Sequence, residues 1–535
     1  MHKDDPALEK AGAELRAVTA EVGSYWQALI ECHELPIVQR PPPQAPLKWW
    51  LPALKLLIFA DEASQDLGYQ PVDAELSHPI ENIIRGLLVE DENSVLPLPG
   101  NEAHLIHLKW ANTFAPHVNP HLVRVVPKSR TPSVGCTLRV LSHNLAIVPP
   151  EGIVDVNWFR EIRPFREDKE PLNLLLIPFP YEIAATAFAA ISEFPSNEEK
   201  PADRVGRTRS GWFRIQQDWL HSGKFGENEF AEFVAELVQT AARDLGRIHG
   251  VILPELSLDW KCYSRLVEKI QQITDRKIAD GSDDTVPFVE FIVAGISSDH
   301  DLRKGNYVAT STFSVPAKHK CVAATHMRSK HHRWKLAGEQ ITDYALGAAL
   351  DPNISWWEAN DLPRREISLT VFRRGAVFCP MICEDLARSE PCHESLRSVG
   401  PNLIFVLLMD GPQLPGRWAA RYATSLADDP GSSVLTLTSL GLMERANGLG
   451  RHPASRHIAL WKDDSGQTVQ ISCPQNAQAI AITLSGVPAE ESTLDGRPNE
   501  EAQAWRYRGH QPVRLSPDLM KKSELAWIVK KTDSR

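Results

Sequence analysis

The chain has 535 residues, more than one hydrophobic core usually serves, so two units or one much-extended domain are expected. A hydrophobic content of 43% and a charged content of 24% are those of an ordinary globular protein, and no apolar run approaches the length of a membrane span. A net charge of −10 argues against a general nucleic-acid binder, so neither membrane nor nucleic acid is an expected partner.

The eight cysteines include no CxxC pair and do not read as a disulfide framework, and MHKDDPALEK at the start lacks the apolar centre of a signal peptide. A reducing cytoplasm is the expected location, which would keep a reactive thiol usable. Residues 1–165 read as a mainly helical region. Apolar residues at helical spacing mark 7–34 (Leu15, Val18, Val22, Trp26) and 47–67 (Trp49, Trp50, Leu54, Leu57, Ile58), with the break RPPPQAP at 40–46 between them. Shorter helices are expected at 79–89 and 102–114. Turn residues and a periodic run follow at 127–150, where Arg130, Arg139 and His143 read as solvated or capping groups. The apolar faces and tryptophans of this region predict a unit packed against the rest of the chain.

From about 171 the pattern changes to strands. Continuous apolar runs predict buried strands at 172–178, 250–254, 288–296, 376–382, 403–409 and 433–438, with others at 367–372, 457–461 and 479–484. Residues 307–315 and 321–327 read as a hairpin, and 229–245 and 263–274 as helices. Strands mixed with long helices and no repeat predict an α/β or α+β fold with a large mixed sheet. The tail from Trp505 carries eight Lys/Arg against three Asp/Glu and reads as a solvated or packing extension.

Three of these runs end in groups with chemistry. One delivers Glu255, one leads into Lys330, and one ends at Cys383. In open α/β folds, chemistry gathers at the carboxyl ends of strands. A carboxylate can take a thiol proton and return it to a leaving amine. An ammonium can stabilise the oxyanion that forms when the thiolate attacks a carbonyl or nitrile carbon. The three residues therefore suffice for amide or nitrile cleavage, with neither a cofactor nor a metal expected. Against this, a strand-end cysteine is commonly a small buried hydrophobe, Glu255 could cap the following helix, and Lys335 rivals Lys330. Cys379 and Cys392 read as packing residues. Four Lys/Arg and three His crowd 326–335, where the spacing fits no closed zinc pattern; a basic rim, solvated or attracting an acidic substrate, is the simpler expectation.

The segments around these residues resemble motifs of the nitrilase superfamily, the carbon–nitrogen hydrolases. LPELSLDW at 253–260 resembles the family's glutamate motif, HMRSKHHRW at 326–334 its lysine motif, and MICEDLARSE at 381–390 its nucleophile motif. IVAGIS at 292–297 and the Gly305-Asn306-Tyr307 turn fit between them. The resemblance covers about 170–490, giving an expected division into a helical region 1–165, a hydrolase domain 166–490 and an extension 491–535. It implies a nitrilase-like α-β-β-α sandwich, Glu255 as base, Lys330 as oxyanion stabiliser and Cys383 as nucleophile. A second family glutamate, which orients the lysine, is best matched in this chain by Glu339 in GEQITDYALG. Cys383-Glu384-Asp385 is most similar to the glutaminase domain of glutamine-dependent NAD synthetase, although no ATP-pyrophosphatase-like loop follows. The family's Arg-Ala-x-Glu helix is poorly matched at 417–429, which leaves the substrate contacts open.

The resemblance implies a hydrolase for a small amide, less readily a nitrile, acting as a homo-oligomer. The competing expectation is a binding or scaffold protein on the same fold, meeting a protein partner through residues 1–165. Some nitrilase-like domains are linked to bacterial reverse transcriptases in antiviral defence, and the size of this chain suits such a setting by association alone.

Overall fold

In a computed structural model of the chain, two mixed sheets lie face to face. The residues described are 6–39, 44–64, 105–108, 113, 115, 118–131, 141–161, 170–191, 210–220, 224–280, 287–315, 320–362, 364–373, 376–493, 496–499, 502–516 and 528. One sheet has eight strands, in the order Leu105–Leu108, Asp155–Glu161, Glu366–Arg373, Ala376–Ile382, Leu403–Leu408, Ser433–Thr438, His457–Lys462, Thr468–Ser472. The other has seven, in the order Val322–Ser329, Lys304–Ser314, Phe291–Ser298, Gly250–Leu258, Leu172–Leu176, Ala479–Pro488, Gln503–Val513. Each sheet is parallel at its centre. Ala376–Ile382, Leu403–Leu408 and Ser433–Thr438 run together in the first, and Leu172–Leu176, Gly250–Leu258 and Phe291–Ser298 in the second. Parallel strands are covered on both faces, which is why these segments are continuous apolar runs.

The inner faces meet through aromatic rings. Phe291 of the seven-stranded sheet lies 4.8 Å from Phe378 and 6.1 Å from Phe405 of the other, centroid to centroid. Helices cover the outer faces. Lys224–Leu245 and Trp260–Ala279 pack together beside the seven-stranded sheet, where the buried Tyr263 bonds to Ser311 at 2.7 Å. Asp259 starts the second of these helices by accepting from the Cys262 N–H at 2.8 Å. Trp418–Asp428 packs on the Ser433–Thr438 strand of the eight-stranded sheet. The architecture is thus an α/β sandwich with helix–sheet–sheet–helix layers, as expected. A small four-stranded sheet, Lys335–Leu336, Ser355–Glu358, Ser210–Ile215 and Phe188–Ile191, stands beside it.

Both expected outer borders of the sandwich are displaced. Among the described residues, the region 1–165 contains the helices Pro6–Glu31 and Trp50–Ala63, but also four strands. Leu105–Leu108, expected as helix, and Asp155–Glu161 belong to the eight-stranded sheet, the latter parallel to Glu366–Arg373 with Trp158 fully buried. Arg124–Pro127 pairs with Leu145–Val148, and the chain beyond is tied inward by Ser129 Oγ to Asn402 (3.0 Å) and by a buried ion pair of Lys128 with Glu491. At the other end, Gln503–Val513 is an edge strand of the seven-stranded sheet with Trp505 buried, so the sheet runs past 490. The reasons differ at the two ends: Leu105–Leu108 is too brief to stand out from a loop, and the 11-residue Gln503–Val513 is mostly polar or half-exposed, with no continuous apolar run to mark it.

The two N-terminal helices pack on each other, with Tyr25 against Phe59, and Asp61 anchors the second. Asp61 accepts from the N–H groups of His143 (2.9 Å) and Asn144 (2.8 Å), and pairs with Arg497 at 3.0 Å. Their tryptophans are not covered as expected: Trp26 is 54% and Trp50 43% exposed. Trp110, Arg139 and the expected helix at 79–89 lie outside the described residues.

Candidate active site

Glu255 sits where its strand departs from regular pairing. The ladder between Gly250–Leu258 and Phe291–Ser298 breaks between Leu253 and Leu258, and Leu256 has φ +53°. Gly295 of IVAGIS makes this possible, because a Cβ there would lie 2.4 Å from the Glu255 Cα. The irregularity turns the Glu255 side chain inward, where it is 1% exposed.

Lys330 follows the strand Val322–Ser329, and its N–H donates to the Asn306 carbonyl at 2.7 Å. Asn306 lies in the register break between Lys304 and Tyr307 that the Gly305-Asn306-Tyr307 turn creates. The Lys330 ammonium is fully buried and donates to Glu255 Oε1 and to Glu358 Oε2, each at 2.8 Å. Asn306 Nδ2 completes the ring, donating to Glu255 Oε1 (2.8 Å) and Glu358 Oε1 (2.7 Å). Glu255 Oε2 accepts from the Met409 N–H at 2.7 Å, and Glu358 Oε2 from the Trp334 N–H at 3.0 Å.

Cys383 ends the strand Ala376–Ile382 in a strained turn, with φ +40° and ψ −108°, before the short helix Glu384–Ala387. Backbone strain of this kind persists only when the surroundings hold it. Its N–H donates to the Leu407 carbonyl at 2.9 Å, two residues before the Met409 N–H that binds Glu255. Cys383 and Glu255 therefore converge on the end of the same strand, Leu403–Leu408.

Charge in this cluster is divided unequally. Burial pushes the Cys383 thiol well above its ordinary pKa, and Glu255 adds to this while Lys330 opposes it. Burial thus favours the neutral thiol over the thiolate at Cys383. Burial raises the Glu255 pKa too, with Lys330 opposing and Glu358 reinforcing the rise. Burial acts the same way on Glu358, but Lys330 outweighs it and the carboxyl is held below its usual range. For Lys330, burial is outweighed by Glu255 and Glu358, which raise its pKa well above normal and keep it an ammonium. Two carboxylates on one cation with pKa values pushed apart suit one to a proton-transfer role and the other to a fixed charge.

Glu255, Lys330 and Cys383 thus meet, whereas Glu339 does not join them. Glu339 stands exposed at the first turn of the helix Gly338–Asp343, and the second carboxylate on Lys330 is Glu358. The sequence did carry a signal for Glu358: it closes the short strand Ser355–Glu358 in SWWEAN, as Glu255, Lys330 and Cys383 stand at or just past their own runs. Lys335 is exposed, with its ammonium 5.4 Å from the Trp357 ring. Cys379 and Cys392 are fully buried, and burial pushes the Cys379 thiol up to about 12. The described cysteines form no disulfide. Among the described residues no helix is long and apolar enough to cross a membrane.

Among the described residues, two groups have ligand atoms close enough to share a metal ion: His331, His332 and Asp385, and the more exposed Asp299, His300 and Asp301. In the first, Asp385 already accepts four N–H bonds, one of them from the Arg328 guanidinium at 3.0 Å, and His331 Nε2 accepts from the Glu366 N–H at 2.8 Å. That donor set reads as a hydrogen-bonded staple rather than a cation site.

No family model and no curated protein matches the chain. Solved structures that it resembles include the glutamine-dependent NAD+ synthetase of Acinetobacter baumannii, at 12% identity over 59% of this chain and 45% of that one, with a TM-score of 0.31. A carbon–nitrogen hydrolase superfamily protein of Xanthomonas campestris matches at 15% identity over 59% and 90%, with a TM-score of 0.30. A Saccharomyces cerevisiae member of the nitrilase superfamily matches at 10% over 68% and 96%, also with a TM-score of 0.30. This chain spans less than half of the synthetase. Likeness at this level assigns no activity.

Proposed function

We propose that the protein is a carbon–nitrogen hydrolase that cleaves a small amide through a cysteine thioester, with a nitrile as the less favoured substrate. The observation that carries this reading is the buried Lys330 ammonium shared by Glu255 and Glu358, converging with the strained Cys383 on one strand end. Glu255 takes the thiol proton as Sγ attacks the carbonyl carbon. Lys330 offsets the charge that develops on the carbonyl oxygen. Collapse breaks the C–N bond, and Glu255 returns the proton to the departing amine. Water, deprotonated by Glu255, then attacks the thioester; the carboxylic acid leaves and the thiol is restored. Glu358 takes the orienting role first matched to Glu339. The test is an amide and nitrile panel followed by intact-mass analysis. A trapped adduct that maps to Cys383 supports the reading, and its absence across the panel with an inert Cys383 overturns it.

The exposed apolar residues of the N-terminal helices, among them Val18, Trp26, Ile30 and Leu57, favour a second reading in which this hairpin binds another protein or a second copy of the chain. Light scattering on the full chain and on a form lacking 1–64 separates the two: self-association lost on truncation supports it, and a monomer in both cases removes the second copy.

A further inference from the structure

The candidate site is assembled across the two sheets. Cys383 ends a strand of the eight-stranded sheet, while Lys330 follows a strand of the seven-stranded one. Apolar packing between sheets tolerates repacking and by itself fixes no catalytic alignment. Polar ties must hold the two strand ends in place. One is the bond from the Met409 N–H to Glu255, a member of the site itself. Another is centred on Asp385.

We propose that Asp385 is a positioning residue for the reaction, fixing the segment that carries Lys330 against the turn that carries Cys383. The proposal rests on the hydrolase reading of the site. Asp385 is fully buried in the first turn after Cys383. Its Oδ1 accepts from the His331 N–H at 2.9 Å, the His332 N–H at 3.1 Å and His332 Nδ1 at 3.2 Å. Its Oδ2 accepts from Arg328 Nη1 at 3.0 Å. The donors flank Lys330: His331 and His332 follow it directly, and Arg328 stands two residues before it. Arg328 also reaches the strand of Cys383 directly, through Nη2 to the Pro380 carbonyl at 2.8 Å. Asp385 makes no hydrogen bond to Cys383, Glu255 or Lys330, so it acts through the backbone segments that carry Lys330 and Cys383. Charge-assisted bonds of this kind are short and directional, which apolar contact is not. The same four donors help to hold the strained backbone at Cys383, two residues away.

A misplacement of about 1 Å at a reacting centre costs on the order of 10²-fold in rate. Asp385→Asn in the full chain keeps an acceptor for the two backbone N–H groups but presents an NH2 to Arg328. On a primary amide that the wild type turns over, kcat should fall about 10²-fold while KM stays within about threefold. Alkylation of Cys383 by iodoacetamide, followed by intact mass and peptide mapping, should slow about tenfold or more. Asp463→Asn is the control. Asp463 is another buried carboxylate, accepting from Trp461 Nε1 at 2.9 Å and the Ser465 N–H at 3.0 Å away from the site, and its loss should lower the melting temperature with kcat unchanged. His332→Ala, which removes one donor of the four, should give an intermediate loss and serves if Asp385→Asn does not fold. Wild-type kcat and alkylation rate in Asp385→Asn, or in His332→Ala where the first does not fold, together with a lowered melting temperature, would show a purely structural role and overturn the proposal. A wild-type protein with no turnover and an inert Cys383 would overturn the hydrolase reading first, a different and separately visible failure.

Discussion

At the scale of single residues, the site separates groups by what burial does to their charge. The Cys383 thiol and the Glu255 carboxyl are both raised by burial, whereas Glu358 is held charged by Lys330. Glu358→Gln should therefore remove the fixed charge beside Lys330 and lower kcat by roughly 10²-fold or more, while Glu339→Gln, at an exposed helix start, should stay near wild type. Steady-state assays of the two variants check this; equal effects would return Glu339 to contention. His331 offers a pH test of the staple around Asp385. Burial, with Arg328 and His332 adding to it and Asp385 opposing, lowers its pKa to about 4. Below its unfolded value of about 6.5 the unfolded chain binds a proton that folded His331 does not take up until about pH 4. Stability is thus fully present above about 6.5 and lost as pH falls through that window. Urea midpoints measured across it should fall with pH in the wild type and fall less in His331→Gln.

At the scale of elements, the site depends on three strand ends that depart from regularity. Gly295 permits the irregularity at Glu255, the Lys304–Tyr307 register break aims Asn306, and the turn at Cys383 carries a positive φ. Gly295→Ala places a Cβ 2.4 Å from the Glu255 Cα, against backbone that cannot swing away. It should cost about 1–3 kcal/mol of stability and, because the carboxylate is displaced, lose far more activity than stability. A melting curve beside an activity assay decides the matter. An active Gly295→Ala would mean that the strand irregularity is not needed.

At the scale of the molecule, the N-terminal region is two things. Its helical hairpin is attached by its own packing and by Asp61, and it leaves tryptophans exposed. Its later strands are part of the sandwich. A chain starting at 166 loses the strand Asp155–Glu161 and the fully buried Trp158, whose removal alone leaves a cavity worth about 3–5 kcal/mol. That fragment should be unstable or insoluble, while a chain starting at 65 should keep both sheets of the sandwich. Expression of both fragments and their melting temperatures provide the check. A stable 166–535 fragment would show that the sandwich does not need Asp155–Glu161.

The amino-acid sequence by itself determined the central strands, the order Glu255, Lys330, Cys383, and a mixed α/β class, while the sandwich layering was only implied by the resemblance of its motifs. Parallel strands covered on both faces leave long apolar runs, and a polar group that follows such a run is placed at the carboxyl end of its strand by geometry alone. It did not determine the partner of Lys330. Glu339 and Glu358 both lie between the lysine and the cysteine in the chain, and only the path of the small sheet brings Glu358 to the ammonium while Glu339 turns to solvent. Nor did it show Asp385 joined to the flanks of Lys330, because two of the four donors are backbone N–H groups that carry no residue signature, and only the fold brings Arg328 and His332 to the carboxylate. The outer strands Leu105–Leu108, Asp155–Glu161 and Gln503–Val513 were also left to the tertiary structure. Strands at or next to a sheet edge are stabilised by the sheet they join, and their own residues hold too few apolar positions to announce them.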